Sequence, residues 1–143
     1  SLSAVIALVA YMPMLMGTGG NSGTQSSTVI ITGMATGDLE LSDVLRVLWK
    51  EFRIGIIVGI CVSILNYMRI VAFDHNGSLV ALTVCLSMVL IVIIAKCIGA
   101  LLPMIAKKIG IDPALIAGPM MASLTDMVAL GTYFTMARLV LKI

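Results

Sequence analysis

The sequence places one carboxylate, Asp126, inside an almost wholly apolar stretch between residues 113 and 141. Asp112 and Pro113 predict a helix start there, because aspartate caps free N–H groups and proline is tolerated at the first helical position. With a helical rise of about 1.5 Å per residue, Asp126 lies roughly 21 Å from Asp112, within a hydrocarbon core about 30 Å thick. Placing an ionised aspartate at this depth costs about 2.5–3.5 kcal/mol or more, so we expect it to have a polar partner or a function.

A second polar group, Asn21, lies in the run GTGGNSGT of the first apolar segment. If the first and last segments are antiparallel helices, Asn21 and Asp126 lie at about the same depth, because Asn21 is roughly 24 Å from the end near Gly37. Small residues surround both: Gly17, Gly19, Gly20, Ser22 and Gly23 on one side, and Gly118, Ala122 and Ser123 on the other. Carboxylate, amide, hydroxyl and carbonyl oxygens suit a hard cation such as hydrated Mg²⁺.

The same pattern has another interpretation. Small residues in apolar helices also mark helix–helix contacts, and Asp126 could be neutral or paired with Lys96. Spacing alone favours neither the packing contact nor the ion site. A phosphate-binding loop is the weaker alternative, because GTGGNSGT lacks the lysine of that motif and no strand precedes it.

The composition predicts a polytopic membrane protein and not a nucleic-acid binder, and the chain is predicted not to be an enzyme. Of the 143 residues, 60% are hydrophobic and 11% are charged, with a net charge of +2; so little charge implies no nucleic-acid partner. Cys61, Cys85 and Cys97 fall inside apolar runs and are interpreted as unpaired thiols. The predicted fold is all-α, a bundle of four transmembrane helices over residues 2–36, 42–71, 79–106 and 113–141, with bends at prolines and the first and last helices in contact.

Loop charges predict the orientation of the bundle. Residues 37–53 and 107–111 are richer in Lys and Arg than the loop at 73–78, which places those two connections in the cytoplasm and both termini outside. His75 in the 73–78 loop is interpreted as a solvated side chain. Lys96, well inside the third helix, either snorkels to the interface or pairs with an acid on a neighbouring helix.

Two stretches resemble the MgtE-type magnesium transporters, which are related to eukaryotic magnesium solute carriers. They are PMLMGTGGNSGTQSST at residues 13–28 and LLPMIAKKIGIDPALIAGPMMASLTDMVAL at residues 101–130. The resemblance implies a homodimer with an ion path along its two-fold axis, lined by the first and last helices. It also implies that Asp126 binds hydrated Mg²⁺, helped by the backbone carbonyl of Ala122, and that Gly17 and Asn21 line the path. Other divalent cations are not distinguished from Mg²⁺ at this stage.

The resemblance also implies parts that residues 1–143 do not match. The family's membrane domain has five helices, one of them preceding Leu2, and a cytosolic regulatory part with an acidic helical domain and paired CBS modules. The whole chain is therefore predicted to be a transmembrane ion-conducting domain without a soluble regulatory domain, cut from a longer multi-pass protein of the plasma membrane. Its predicted partners are the lipid bilayer, a second copy of itself and that cytosolic part.

Three rival functions follow from the same residues. A Na⁺- or H⁺-coupled cation transporter would use Asp126 as its coupling site and depend on a second ion gradient. An intramembrane aspartyl protease would need a second acid at equal depth. A non-conducting partner in helix packing would have no dependence on metal ions.

Overall fold

The computed structural model of the protein describes residues 2–74 and 77–142, and side chains from residue 6 onward. His75 lies outside the described residues. Every described secondary-structure element is helical, which confirms the all-α fold. The four α-helices are α1 (Leu2–Thr36), α2 (Val44–Arg69), α3 (Ser78–Lys108) and α4 (Pro119–Leu141). Short helical turns flank them at Leu41–Asp43, Ile70–Asp74 and Pro113–Leu115.

Three described helical segments are long and apolar enough to cross a membrane: Leu41–Asp74, Ser78–Lys108 and Pro119–Leu141. The first helix has 35 residues, which is also long enough to cross a hydrocarbon core about 30 Å thick. Within the most apolar window of each segment, 56% of α3 is buried by the rest of the protein, against 17% for the α2 segment and 22% for α4. The third helix is therefore the centre of the bundle, and α1, α2 and α4 pack around it.

Small residues let α1 and α3 approach closely. A Cβ added at Gly99 of α3 would clash with the carbonyl oxygen of Gly23 on α1. Membrane helices associate through such close backbone contacts because lipid supplies no hydrophobic driving force between them. The contact holds α1 along the inner helix and leaves its other side available to α4.

The last helix does not continue from Pro113 as predicted. The predicted continuous helix over residues 113–141, bent near 115–119, is wrong. Gly118 adopts a positive φ of 80°, a conformation that glycine reaches without steric cost, and α4 begins at the next residue, Pro119. Inside a helix proline lacks the N–H that donates to the carbonyl four residues back, and its ring clashes with that carbonyl, but it fits the first helical position. The two residues therefore start a new helix instead of bending an old one.

The predicted cap at Asp112 is present on the short turn before that break. Asp112 Oδ1 accepts a hydrogen bond of 3.0 Å from the backbone N–H of Ala114. The cap starts only the turn Pro113–Leu115, so the depth of Asp126 cannot be counted along one helix from Asp112. The depth of Asp126 is set instead by the register of α4 against α1.

Candidate metal-binding groove

The helices α1 and α4 are antiparallel neighbours, joined through side chains at several levels. The Tyr133 hydroxyl on α4 donates a hydrogen bond of 2.9 Å to the carbonyl oxygen of Leu8 on α1. Further along, a Cβ at Gly20 of α1 would lie 3.8 Å from Oδ1 of Asp126. Side chains and a bridging water could not span more than about 15 Å between the two helices. Gly20 and Asp126 are well within that limit. The predicted contact between the first and last helices is confirmed.

The two helices enclose a groove of about 470 Å³ that is open along one side. All four residues predicted for the metal site, Gly17, Asn21, Ala122 and Asp126, line it, together with Pro13, Met16, Gly20 and Thr24. On each helix the predicted residues are four positions apart, so they lie on one face, one turn from each other. Helical periodicity therefore brings the predicted residues together although the last helix starts later than predicted.

Asp126 has no partner among the described residues: no ion pair or hydrogen bond involves its carboxylate. Neighbouring Thr125 is buried, and its hydroxyl donates to the carbonyl oxygens of Met121 and Ala122 at 2.9 Å each. The Ala122 carbonyl is thus already engaged within its own helix. The side-chain oxygen atoms on the groove belong to the Asp126 carboxylate, the amide of exposed Asn21 and the Thr24 hydroxyl.

One carboxylate does not make a closed metal cage. No group of three or more His, Cys, Asp or Glu side chains within residues 2–74 and 77–142 could hold an ion. A groove with one carboxylate and one amide suits a cation that keeps most of its water shell. Mg²⁺ behaves in this way, because it dehydrates reluctantly and uses one or two carboxylates.

Comparison with known proteins decides the family. Residues 12–136 match the MgtE family, described as a divalent cation transporter. The chain belongs to the MgtE family. This match includes both stretches on which the resemblance rested and all four residues predicted for the metal site. The prediction that the chain is not an enzyme agrees with a family of ion transporters.

Three MgtE relatives share sequence over nearly the whole chain. The chain is 43% identical over 141 residues to "Magnesium transporter MgtE" of Thermus thermophilus, which covers 99% of this chain and 31% of that protein. Proteins of the same description from Bacillus subtilis and Enterococcus faecalis are 34% and 28% identical over 96% and 94% of this chain, and 30% of each relative. The chain thus spans about a third of the length of these relatives.

Lys96, left open between snorkelling and pairing, pairs with an acid that the sequence analysis did not consider. Its Nζ lies 3.7 Å from Oε2 of Glu51 on α2, and both side chains are about 5% exposed or less. Snorkelling is therefore wrong, and Lys96 is not the partner of Asp126. Glu51 belongs to residues 37–53, which the loop charges assign to a cytoplasmic connection and not to the interior of the bundle.

The spacing of residues along α2 nevertheless indicates that Glu51 is buried. The buried positions of α2 recur every four residues, at Val47, Glu51, Gly55, Gly59 and Ser63. Gly55 and Gly59 lie against Ile93 and Val89 of α3. The small residues at 55, 59 and 63 identify the face of α2 toward α3, and Glu51 continues that face by one turn.

Proposed function

We propose that residues 1–143 form the ion-conducting membrane domain of a magnesium transporter, in which largely hydrated Mg²⁺ passes the Asp126 carboxylate. The observation that carries this proposal is the groove between α1 and α4, where one unpaired carboxylate lies among Gly17, Asn21 and Ala122. The relatives described as magnesium transporters support Mg²⁺ as the transported ion. Other divalent cations of similar hydration would compete for the same groove.

The residues of the groove have separate roles in this proposal. The Asp126 charge attracts the ion, and its oxygens accept hydrogen bonds from the water shell. The Asn21 amide contributes a neutral oxygen on the opposite wall. Gly17 has nothing within 4 Å of a built Cβ and leaves room for bound water. The small side chain of Ala122 takes up little space on the α4 side of the groove. Its carbonyl group, which accepts a hydrogen bond from the Thr125 hydroxyl, adds a fixed dipole.

We further propose that two copies of the chain close the groove between them. Asn21 and Gln25 are exposed on one side of α1, and an amide N–H group that faces lipid without a hydrogen bond costs about 2–7 kcal/mol. A second copy related by a two-fold axis would cover these amides and enclose water, and it would bring a second Asp126 to the path. The setting is a multi-pass protein of the plasma membrane whose cytosolic regulatory part lies outside residues 1–143.

The experiment is Asp126→Asn, with Asp38→Asn as its matched control. Both variants replace a carboxylate by an amide, but Asp38 is an exposed residue after the end of α1, where it accepts a hydrogen bond from Thr36. Hydrogen bonds to a charged group contribute about 1.5–3 kcal/mol, so Asp126→Asn should lower Mg²⁺ affinity and flux by roughly 10- to 150-fold. Calorimetry and Mg²⁺ uptake by proteoliposomes measure the two quantities.

Asp38→Asn should leave affinity and flux within about twofold of the wild type, which corresponds to the small effect of most surface substitutions. If Asp126→Asn binds and conducts Mg²⁺ like the wild type, the carboxylate is not the ion site, and helix packing is the better interpretation of the groove. Cross-linking of cysteines introduced at Asn21 tests the two-fold axis separately, because a path on that axis brings the two copies of this residue together.

A further inference from the structure

Three cations lie on one face of the first turns of α2. Arg46, Lys50 and Arg53 follow one another at intervals of four and three residues, a spacing that places them side by side on a helix. All three are exposed, and the ion pairs within the described residues do not involve them. We call these three residues the basic ladder. The groove at Asp126 does not include any of them.

The acids closest to the basic ladder are engaged elsewhere. Glu51, the acid within α2, is buried on another face of the helix beside the Lys96 ammonium. Asp43, just before α2, accepts a hydrogen bond of 3.0 Å from the backbone N–H of Glu40 and caps the preceding turn. The helix dipole also disfavours cations near a helix N-terminus. The charge of the ladder is therefore available to an anion from outside the described chain.

The basic ladder lies where α2 enters the membrane. The helix carries no charged residue from Ile54 to Met68, so Arg53 lies at the edge of the hydrocarbon core, and Arg46 lies about 10 Å further out. A bilayer has a core about 30 Å thick within a total thickness of about 40–45 Å, and the headgroups occupy the difference. The three cations are therefore at the level of the lipid headgroups.

Exposed aromatic and aliphatic side chains flank the ladder. The Arg53 guanidinium lies 5.8 Å from the centre of the Trp49 ring, a cation–π contact that orients it. Trp49 in turn stacks on Phe52 with 5.8 Å between the ring centroids. Trp49 is 59% exposed and Leu45 is 81% exposed, and tryptophan is enriched at membrane–water interfaces. This part of α2 therefore offers apolar contacts for acyl chains next to cations for a phosphate.

We propose that the basic ladder binds the phosphate of an anionic phospholipid, such as phosphatidylglycerol, in the leaflet that α2 enters. Guanidinium groups bind phosphate oxygens through paired hydrogen bonds, and basic residues at a membrane surface attract anionic lipids. The predicted orientation places this end of α2 in the cytoplasmic leaflet, whose surface potential is negative. The proposal does not rest on the proposed transport function, because it uses no residue of the groove.

The binding experiment compares two double variants of the protein in a non-ionic detergent. Arg46→Gln/Lys50→Gln removes one arginine and one lysine from the ladder, and the control Arg138→Gln/Lys142→Gln removes the same residue types from exposed positions near the end of α4. Native mass spectrometry measures the Kd for dioleoyl-phosphatidylglycerol. A basic residue near an anionic surface contributes about fivefold in affinity, so the ladder variant should bind roughly 30-fold more weakly and the control within about twofold of the wild type.

Equal weakening by the two variants would show a general attraction of charge and would overturn the proposal, as would unchanged binding by the ladder variant. If Arg46→Gln/Lys50→Gln does not fold, Lys50→Gln is compared with Lys142→Gln, and the expected loss is about fivefold.

The identity of the ligand is tested by thermal unfolding. Dioleoyl-phosphatidylglycerol should raise the Tm of the wild type by roughly 3 °C or more above the value in dioleoyl-phosphatidylcholine, and the ladder variant should lose that difference. Inorganic phosphate should leave the Tm unchanged, because it has no acyl chains. An equal effect of inorganic phosphate would overturn the proposal, and displacement of the lipid by soluble polyglutamate would overturn it in favour of an acidic protein segment.

Discussion

The Asp126 carboxylate faces an open groove between α1 and α4, whereas the Glu51 carboxylate is buried where α1, α2 and α3 meet. Glu51 accepts a hydrogen bond from the Ser26 hydroxyl and lies beside the Lys96 ammonium, which balances its charge. Asp126 has no ion pair within the described chain, so no protein cation balances its carboxylate. Under the proposed function, Asp126 is the carboxylate available to a mobile ion, because a tethered ammonium already lies beside Glu51.

Replacing the Glu51 carboxylate should lower the free energy of unfolding, whereas replacing the Asp126 carboxylate should not. Glu51→Gln leaves the Lys96 ammonium buried without a counter-ion, and breaking a buried pair costs about 3–5 kcal/mol. Asp126→Asn removes a charge that has no partner and should leave the free energy of unfolding unchanged or slightly higher. Denaturant unfolding in detergent measures both. Equal destabilisation by the two variants would remove the distinction between the two sites.

Substitutions at two glycines should distinguish an effect on helix packing from an effect on ion conduction. Gly99→Ala would press against the backbone of Gly23, and overpacking of this kind costs about 1–3 kcal/mol. Gly17→Ala meets nothing within 4 Å and should raise the free energy of unfolding by about 0.5–1 kcal/mol, because alanine is favoured over glycine inside a helix, yet it narrows the groove and should slow Mg²⁺ uptake. If Gly17→Ala leaves uptake unchanged, the path does not follow the α1 wall.

Asn21→Ala tests how much of the Mg²⁺ affinity of the groove depends on a neutral amide and how much on the charge of Asp126. A neutral amide contributes about 0.5–1.5 kcal/mol through its hydrogen bonds, so Mg²⁺ affinity should fall by roughly 2- to 12-fold. Calorimetry under the conditions used for Asp126→Asn gives the ratio of the two losses. An Asn21→Ala loss as large as that of Asp126→Asn would mean that the amide is a direct ligand of the ion.

The smallest expected change is that of Ser27→Ala. The Ser27 side chain is fully buried, and its hydroxyl makes no hydrogen bond within the described chain, so its removal should change the free energy of unfolding by less than about 0.5 kcal/mol, toward greater stability. Ser26→Ala is the control, because it removes the hydrogen bond to Glu51 and should cost about 1.5–3 kcal/mol. Comparable losses in thermal unfolding would show that Ser27 has an unrecognised partner.

Much of the groove could be predicted from the sequence because it depends on local periodicity. Gly17 and Asn21, like Ala122 and Asp126, are one helical turn apart, so each pair shares a face wherever its helix begins. The bounds of α1 agree with the prediction for the same reason, since an unbroken apolar and small-residue run favours a helix throughout. The interruption before α4 could not be predicted with equal security, because a proline in an apolar run is compatible with a bend or with a new start.

The sequence by itself determined the helical fold and the membrane class, because these follow from side-chain hydropathy and the period of the α-helix, and its resemblance to a family supplied the two pairs of residues on the walls of the groove. Only the tertiary structure decided the partner of Lys96. Glu51 is 45 positions away along the chain and Ser26 is 70, and their meeting depends on how α1 and α2 are rotated against α3. Close backbone contacts such as Gly99 with Gly23 set those rotations, and no local pattern specifies which distant helix supplies them.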